Sequence, residues 1–515
     1  MTLREALGCM VLGAFGVACG SGDDEGKQPF GTTKPLPQLE SAALTTEVTL
    51  ELLHPVSTTF ELDPRDVAHM NQMLAEGYGE TTLGPGRPVT SFTLDDSTPP
   101  APGAGAKLIT RFVHLADTQL ADDESPARVV RFDTAGPTSG AFRPQEGHQC
   151  RILNAAVRTI NAVHRSTPLD FVVLGGDNAD NAQENELDWF LGVLGGDPQV
   201  ECDSGADDDP VRGANNDPKD PFIPEGLLPP WYWVTGNHDV LVQGNFPIYG
   251  REQDALGDWA ANGTRDWSKP GGPMTLEDVI PDPKRALMDH GLMLDRLAAA
   301  GVLGIDSATI AYGKAYYTFD IPGTPVRFIV MDTAAPTGSA DGVILTEDVV
   351  DFLLPALDAA KAANKWVVLT SHHGTRNITD GGGFGGAAQA TAITVDEWTD
   401  LVGAYDNVLM HLAGHTHVHR TTRIEPAGAT ATPYWELETS ALADYPHQVR
   451  LIEITDQDNG FVSIRAIAVD FATDDDPIAA DGRRRGITDF TSGWSKDGAG
   501  DLGHVNVELW VKKPN

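Results

Sequence analysis

Cysteine is scarce in this chain of 515 residues: there are four, and Cys9 and Cys19 lie at the extreme N-terminus. Only Cys150 and Cys202 remain in the body, without the spacing of a thiolate zinc site. A cysteine-built metal centre and a disulfide-dense scaffold are excluded. One bridge between these two is open, as are two free buried thiols. A bridge would close a long loop around Asp177, a stabilisation of about 3–4 kcal/mol on the chain-entropy account. Basic residues are also few, 36 against 74 acidic ones, for a net charge of −38. That field repels nucleic acid and anionic lipid, so no nucleic-acid partner is expected. A small anionic substrate stays compatible, because bound divalent cations invert the local potential. The one dense basic run, Arg483-Arg484-Arg485, reads as a solvated turn. No repeat period appears, and no stretch beyond the N-terminus is long and apolar enough to span a bilayer.

The chain's first residues read as an export signal. Arg4 gives a thin charged start, Ala6 to Ala18 an apolar stretch too short to span a membrane, and Gly16-Val17-Ala18-Cys19 a bacterial-type lipobox. Cys19 is then a candidate lipid anchor, and residues 1–19 a signal peptide. The expected location is the periplasm, or the outer membrane or cell surface as a lipoprotein. Residues 20–45, rich in Gly, Pro, Asp and Thr, read as a disordered tether. Residues 46–105 read as a small N-terminal appendage, 106–475 as the main domain, and 476–515 as a C-terminal extension packed on it.

Within the main domain, strand-like runs alternate with helical patterns. Arg111 to Ala116, Phe171 to Leu174, Trp231 to Val234, Val326 to Met331, Trp366 to Thr370 and Asn407 to Leu412 are apolar or alternating. Ile152 to Val163 and Glu347 to Ala363 carry helical spacing. This is an α/β pattern, in which ligands sit at strand ends. After residue 430 the pattern turns nearly all β, as for a second sheet packed on the first. Two stretches look inserted, acidic Asp203 to Pro221 and Gly/Pro-rich Gly244 to Pro283. Both are expected to overhang the site.

Five polar islands follow these apolar runs: Asp117-Thr118-Gln119, Gly176-Asp177-Asn178-Ala179-Asp180, Gly236-Asn237-His238-Asp239, Ser371-His372-His373 and Gly414-His415-Thr416-His417. Singly, each is compatible with a capped loop or polar turn. Two imidazoles at one strand end, however, cost solvation unless they bind something. Together the islands supply carboxylate, amide and imidazole donors for two metal ions, with Asp177 placed to bridge them after a flexible Gly-Gly turn.

In order and residue content the islands resemble the calcineurin-like metallophosphoesterases, a family that includes the purple acid phosphatases. The likeness extends over about residues 110 to 470. Asp122 to Arg128, Asp177 to Gln183, Glu436 to Ser440 and Tyr445 to Arg450 are similar to an exported bacterial subgroup. The resemblance implies a four-layer α/β/β/α sandwich of two mixed sheets and a metal-dependent phosphohydrolase acting on a small phosphorylated substrate. It implies two divalent or trivalent ions, Mn, Fe or Zn, and a bridging hydroxide attacking the phosphate ester in line. Asp117, His417 and Asp177 would hold one ion; Asn237, His372, His415 and the same Asp177 the other. His238 would face the leaving group and Asp239 would orient its imidazole. Arg128, Asn181 and His373 are candidate substrate contacts, with structural hydrogen bonding the alternative for the first two.

One position departs from the family pattern. Gln119 stands where a histidine is usual, giving Asp-x-Gln rather than Asp-x-His. Its carbonyl is a hard, neutral oxygen donor, which favours Mn²⁺ at that ion. The same substitution is found in Mn-dependent ADP-ribose/CDP-alcohol diphosphatases, so nucleotide-type phosphoanhydrides form a second substrate class. A non-catalytic surface protein with a residual metal site is the third reading. An intact Asn237-His238 pair argues against it.

Overall fold

The computed structural model describes residues 33–205, 208–428, 430–495 and 500–514. The signal peptide and Cys19 lie outside these residues.

Continuous apolar runs dictate strands buried on both faces. In Val326–Val330, Phe328 and Val330 face one hydrophobic cluster, while Ile329 packs with Leu357 and Trp398 in another. This strand pairs parallel with Trp366–Thr370, which pairs parallel with Val408–Ala413. Tyr434–Glu438 adds in parallel, and Arg420–Ile424 and Tyr317–Asp320 close the two edges antiparallel. The result is a six-stranded mixed sheet.

The other sheet has seven strands, in the order Thr90–Thr93, Val507–Lys512, Phe461–Asp470, Gln448–Asp456, Lys107–Leu115, Phe171–Leu174 and Trp231–Trp233. The sheets meet through aromatic rings. Phe328 of the six-stranded sheet stands edge-on to Phe112 and Phe171 at 5.4 and 5.3 Å. Phe319 stacks on Tyr232 at 3.6 Å. Helices Gln149–Ser166, Glu184–Gly195 and Pro477–Thr491 pack together on the seven-stranded side, and Leu354–Ala362 and Val395–Gly403 on the six-stranded side. This is the four-layer α/β/β/α sandwich.

Several expectations need correcting. The strands after residue 430 do not form one sheet: Tyr434–Glu438 completes the six-stranded sheet, and Gln448–Asp456 crosses to pair antiparallel with Lys107–Leu115. The N-terminal segment also enters the core architecture, because Thr90–Thr93 pairs parallel with Val507–Lys512. The arginine triplet is helical rather than a solvated turn: Arg484 and Arg485 pair with Glu80 and Asp481.

The acidic insert is pinned, not overhanging. Cys150 and Cys202 form a disulfide that ties its start to the Gln149–Ser166 helix. Near its end, the Lys219 ammonium is buried between Asp123, Glu124 and Asp203, at 3.0, 2.8 and 3.6 Å.

Candidate metal centre

Every island sits where a strand delivers its chain to the same end of the sandwich. Lys107–Leu115 leads to Asp117, Phe171–Leu174 to Asp177, Trp231–Trp233 to Asn237, Trp366–Thr370 to His372, and Val408–Ala413 to His415. Backbone bonds lock the loops together: Asp117 N–H donates to Gly176 O at 3.0 Å, and Gly414 N–H to His372 O at 2.9 Å. The loops of the two sheets therefore meet at one point.

Asp177 lies at the centre and is buried. Its Oδ1 accepts the His238 backbone N–H at 2.8 Å, and its Oδ2 accepts Gln119 Nε2–H at 3.2 Å. His372 Nε2 approaches that Oδ2 at 3.0 Å but off line for a hydrogen bond, and stands 3.7 Å from Asp117 Oδ1. Asp117 also lies 3.4 Å from His417 Nε2 and accepts the His415 backbone N–H. Donor atoms of Asp117, Asp177 and His372, and separately of His372, His373 and His415, fall within 4.8 Å of one another.

The donor set fits metal ions, on two observations. Gln119 Oε1 and His372 Nε2 are buried without a hydrogen-bond partner, and burying such atoms is costly unless something takes their lone pairs. Backbone strain is also concentrated here. Asp117, Gln119, Asp177, His415 and His417 all have positive φ, between 42° and 70°, a region L-residues avoid unless their surroundings impose it. Gly176 is needed at φ +92°, since a Cβ there would lie 2.5 Å from His372 Nδ1.

Partners on the far side of the rings set their orientation, as is common for ligating histidines. His372 Nδ1 bonds Gly175 O at 2.8 Å, and His417 Nδ1 bonds Asp444 Oδ2 at 2.7 Å. Burial alone would lower both imidazoles, but Asp177 and Asp117 raise His372 to about 9, and Asp117 and Asp444 hold His417 well above the usual range. His415, partly buried and facing His373 and His372, is held well below it by desolvation and those rings.

His238 lies at the open side of this cluster, its side chain 13% exposed. Its Nδ1 is held by Asp180, through Oδ1 at 2.9 Å and the backbone carbonyl at 3.1 Å. Nε2 then faces the centre, 3.8 Å from Asp177. Gly244 backs the ring: a Cβ there would lie 2.2 Å from His238 Cδ2, so the second insert does border the site.

The orienting carboxylate is therefore Asp180, not Asp239. Asp239 accepts the backbone N–H groups of Gly236, Asp177, Asn178 and Ala179 at 2.8 to 3.1 Å, clamping two islands together. Burial and the Asp177 charge push its pKa up to about 7, against the Gly236 and Ala179 N–H groups.

The three candidate substrate contacts are also corrected. Arg128 is fully buried and paired with Glu146 at 2.5 Å. Asn181 is fully buried and donates to Glu186 at 2.7 Å. His373 is buried with both nitrogens engaged, Nδ1 to Thr333 Oγ1 at 2.8 Å and Nε2 to Ala340 O and Asn237 Oδ1 at 2.9 and 3.1 Å. It positions Asn237 instead of presenting a free nitrogen to substrate. Asp180 and Asp444 were missed. The available signal was only that histidine ligands tend to recruit a carboxylate from a nearby loop.

The calcineurin-like phosphoesterase family matches this chain over residues 110–419. Among solved structures, a dimetal phosphatase from Danio rerio aligns with 71% of this chain and 100% of its own, at 13% identity and a TM-score of 0.38. GAP50, the anchor in the inner membrane complex of Plasmodium, aligns with 74% of this chain and 95% of its own, at 12% identity and a TM-score of 0.29. No curated protein matches the chain.

Proposed function

The chain belongs to the calcineurin-like phosphoesterases, and from that premise we propose that it hydrolyses a small phosphate ester at a two-ion centre. The observation that carries this reading is the convergence of Asp117, Asp177, Asn237, His372, His415 and His417 from two different sheets onto one buried point. Asp117, Gln119 and His417 would hold one ion, Asn237, His372 and His415 the other, with Asp177 shared. Two ions held there supply an activated water at neutral pH and positive charge against the phosphoryl oxygens.

The remaining chemistry belongs to the chain's own residues. His238 is the candidate acid for the leaving group. Burial alone would lower its pKa, but Asp177 and Asp180 outweigh burial and raise it. With Nδ1–H donated to Asp180, Nε2 is the nitrogen that carries the transferable proton. Asp239 fixes the relative position of the Asp177 and Asn237 loops, and His373 holds the Asn237 amide in place. Neither needs to touch the substrate.

A second reading, a Mn-dependent diphosphatase acting on a nucleotide-type anhydride such as ADP-ribose, is favoured by one observation. The Gln119 amide turns its N–H toward Asp177 and leaves Oε1 as an unpartnered oxygen donor, which suits a hard ion.

The test is hydrolysis by the purified chain loaded with Mn²⁺, Zn²⁺ or Fe, offered an aryl phosphomonoester, an aryl phosphodiester and ADP-ribose, with Asp177→Ala as blank. Ester turnover lost in the blank supports the first reading. Preference for ADP-ribose with Mn²⁺ moves the assignment to the second. No turnover with two ions bound contradicts both.

A further inference from the structure

Two arginines share a cavity away from the metal centre, and neither side chain has a protein hydrogen bond or ion pair among the described residues. A cavity of about 50 Å³ is lined by Arg87, Arg483, Asp470, Gln448, Tyr445 and His419, and by Asp501, whose Oδ1 is taken up by the Gly503 N–H at 2.8 Å. It is large enough for a tetrahedral oxyanion or a few waters, since a single water needs roughly 10–15 Å³ by the same measure. Arg483 Nη2 is buried without a partner, and its guanidinium lies 3.9 Å from the centre of the Phe471 ring. In a chain with 74 carboxylates, most buried arginine side chains find one: Arg128 takes Glu146, Arg143 takes Asp444, Arg285 takes Asp122. Two guanidiniums lining one cavity without a hydrogen bond supply donors for an oxyanion.

The cavity also holds an acceptor. Asp470 takes Gln448 Nε2–H on Oδ1 at 2.8 Å, and Gln448 Oε1 in turn meets His419 Nε2 at 3.1 Å. Asp470 Oδ2 accepts nothing among the described residues. A fully deprotonated anion would meet this carboxylate with repulsion, whereas an oxyanion bearing its own O–H donates to it. Burial raises the Asp470 carboxyl, while Gln448 and both arginines act the other way.

Apart from His419, the named walls come from segments outside residues 110–419. Arg87 follows the Thr81–Pro85 strand, Arg483 lies on the Pro477–Thr491 helix, and Gln448 and Asp470 face each other across the paired strands Gln448–Asp456 and Phe461–Asp470. We propose that the N- and C-terminal segments together build a second anion site, specific for a protonated oxyanion of the hydrogenphosphate type. The site does not depend on the hydrolytic reading, because none of its residues contributes to the metal centre.

Equilibrium dialysis of the metal-loaded full chain against radiolabelled inorganic phosphate, with sulfate as competitor, tests it. The expected result is that Arg87→Gln binds one phosphate fewer per chain than the parent, with hydrolytic turnover unchanged. Sulfate should compete poorly at this site in the parent and better in Asp470→Asn, where the acceptor's charge is gone. Arg87 lies outside any helix, so its variant tests the site without breaking the Pro477–Thr491 helix. Equal phosphate stoichiometry in the parent and Arg87→Gln would overturn the proposal, as would sulfate displacing phosphate from the parent site as readily as phosphate itself.

Discussion

Two buried acidic clusters, one around Lys219 and one around Asp177, are neutralised in opposite ways. Around Lys219, the carboxylates of Asp123, Glu124 and Asp203 enclose the chain's own ammonium. Burial would lower that lysine, but the three carboxylates hold it well above its ordinary value. Around Asp177, the neighbours are imidazoles and an amide, groups with lone pairs to give. There, Gln119 Oε1 has no hydrogen-bond partner, and five residues sit at positive φ. Asp203 Oδ1 likewise lacks a hydrogen bond, so what separates the clusters is that the first encloses its own cation, while the second offers lone pairs and is strained. Burial and acidity alone therefore do not identify a metal centre, although donor atoms of Glu124, Asp203 and Asp208 also lie within 4.8 Å of one another.

The sharpest way to break this contrast is at Asp177. Asp177→Ala is expected to lower turnover by at least about 10³-fold, since in the proposed centre it would remove the carboxylate shared by both ions. Metal content should fall with it, measured by inductively coupled plasma mass spectrometry. Lys219→Met should do the reverse, leaving metal content intact while destabilising the fold by about 3–5 kcal/mol, the cost of stranding buried carboxylates without their counter-ion. Chemical denaturation would read that loss. A Lys219→Met protein as stable as its parent would show that the cluster is not closed by Lys219.

Smaller effects separate orientation from ligation. Asp180→Asn should cut kcat by roughly 10- to 100-fold, the usual cost of losing an orienting partner, with KM and metal content little changed. Asp239→Asn should instead loosen the loop clamp, so that thermal stability falls along with activity. If Asp239→Asn matched Asp180→Asn in every readout, the assignment of Asp180 as the orienting group would fail. The smallest expected change is Gln119→His, which should shift preference from Mn²⁺ toward Zn²⁺ at one ion while leaving the fold untouched, read by activity under each metal.

That these side chains cluster was legible in the sequence because each follows an apolar strand and its residue type is unusual at a strand end. Strand positions were legible for the same reason: Phe171–Leu174 and Trp366–Thr370 lie where their apolar runs place them. What could not be read was partnership across the chain. Asp239 is next to His238 in sequence, but the turn aims it at the amides of the Asp177 loop, leaving Asp180, 58 residues before His238, to hold the ring. Arg128 and Asn181 looked available because they flank ligands. Their burial depends on Glu146 and Glu186, whose pairing has no local signal. The division of strands between sheets failed similarly: Tyr434–Glu438 and Gln448–Asp456 read alike, and only the tertiary pairing sends them to different layers.

The most direct measurement is the number of metal ions bound per chain in the purified protein and in Asp177→Ala, determined alongside turnover on the same samples. The account predicts two ions per parent chain, a loss of metal in the variant, and turnover that disappears with it. One ion or none in an active parent, or two ions retained by Asp177→Ala, would contradict a centre built around that shared carboxylate.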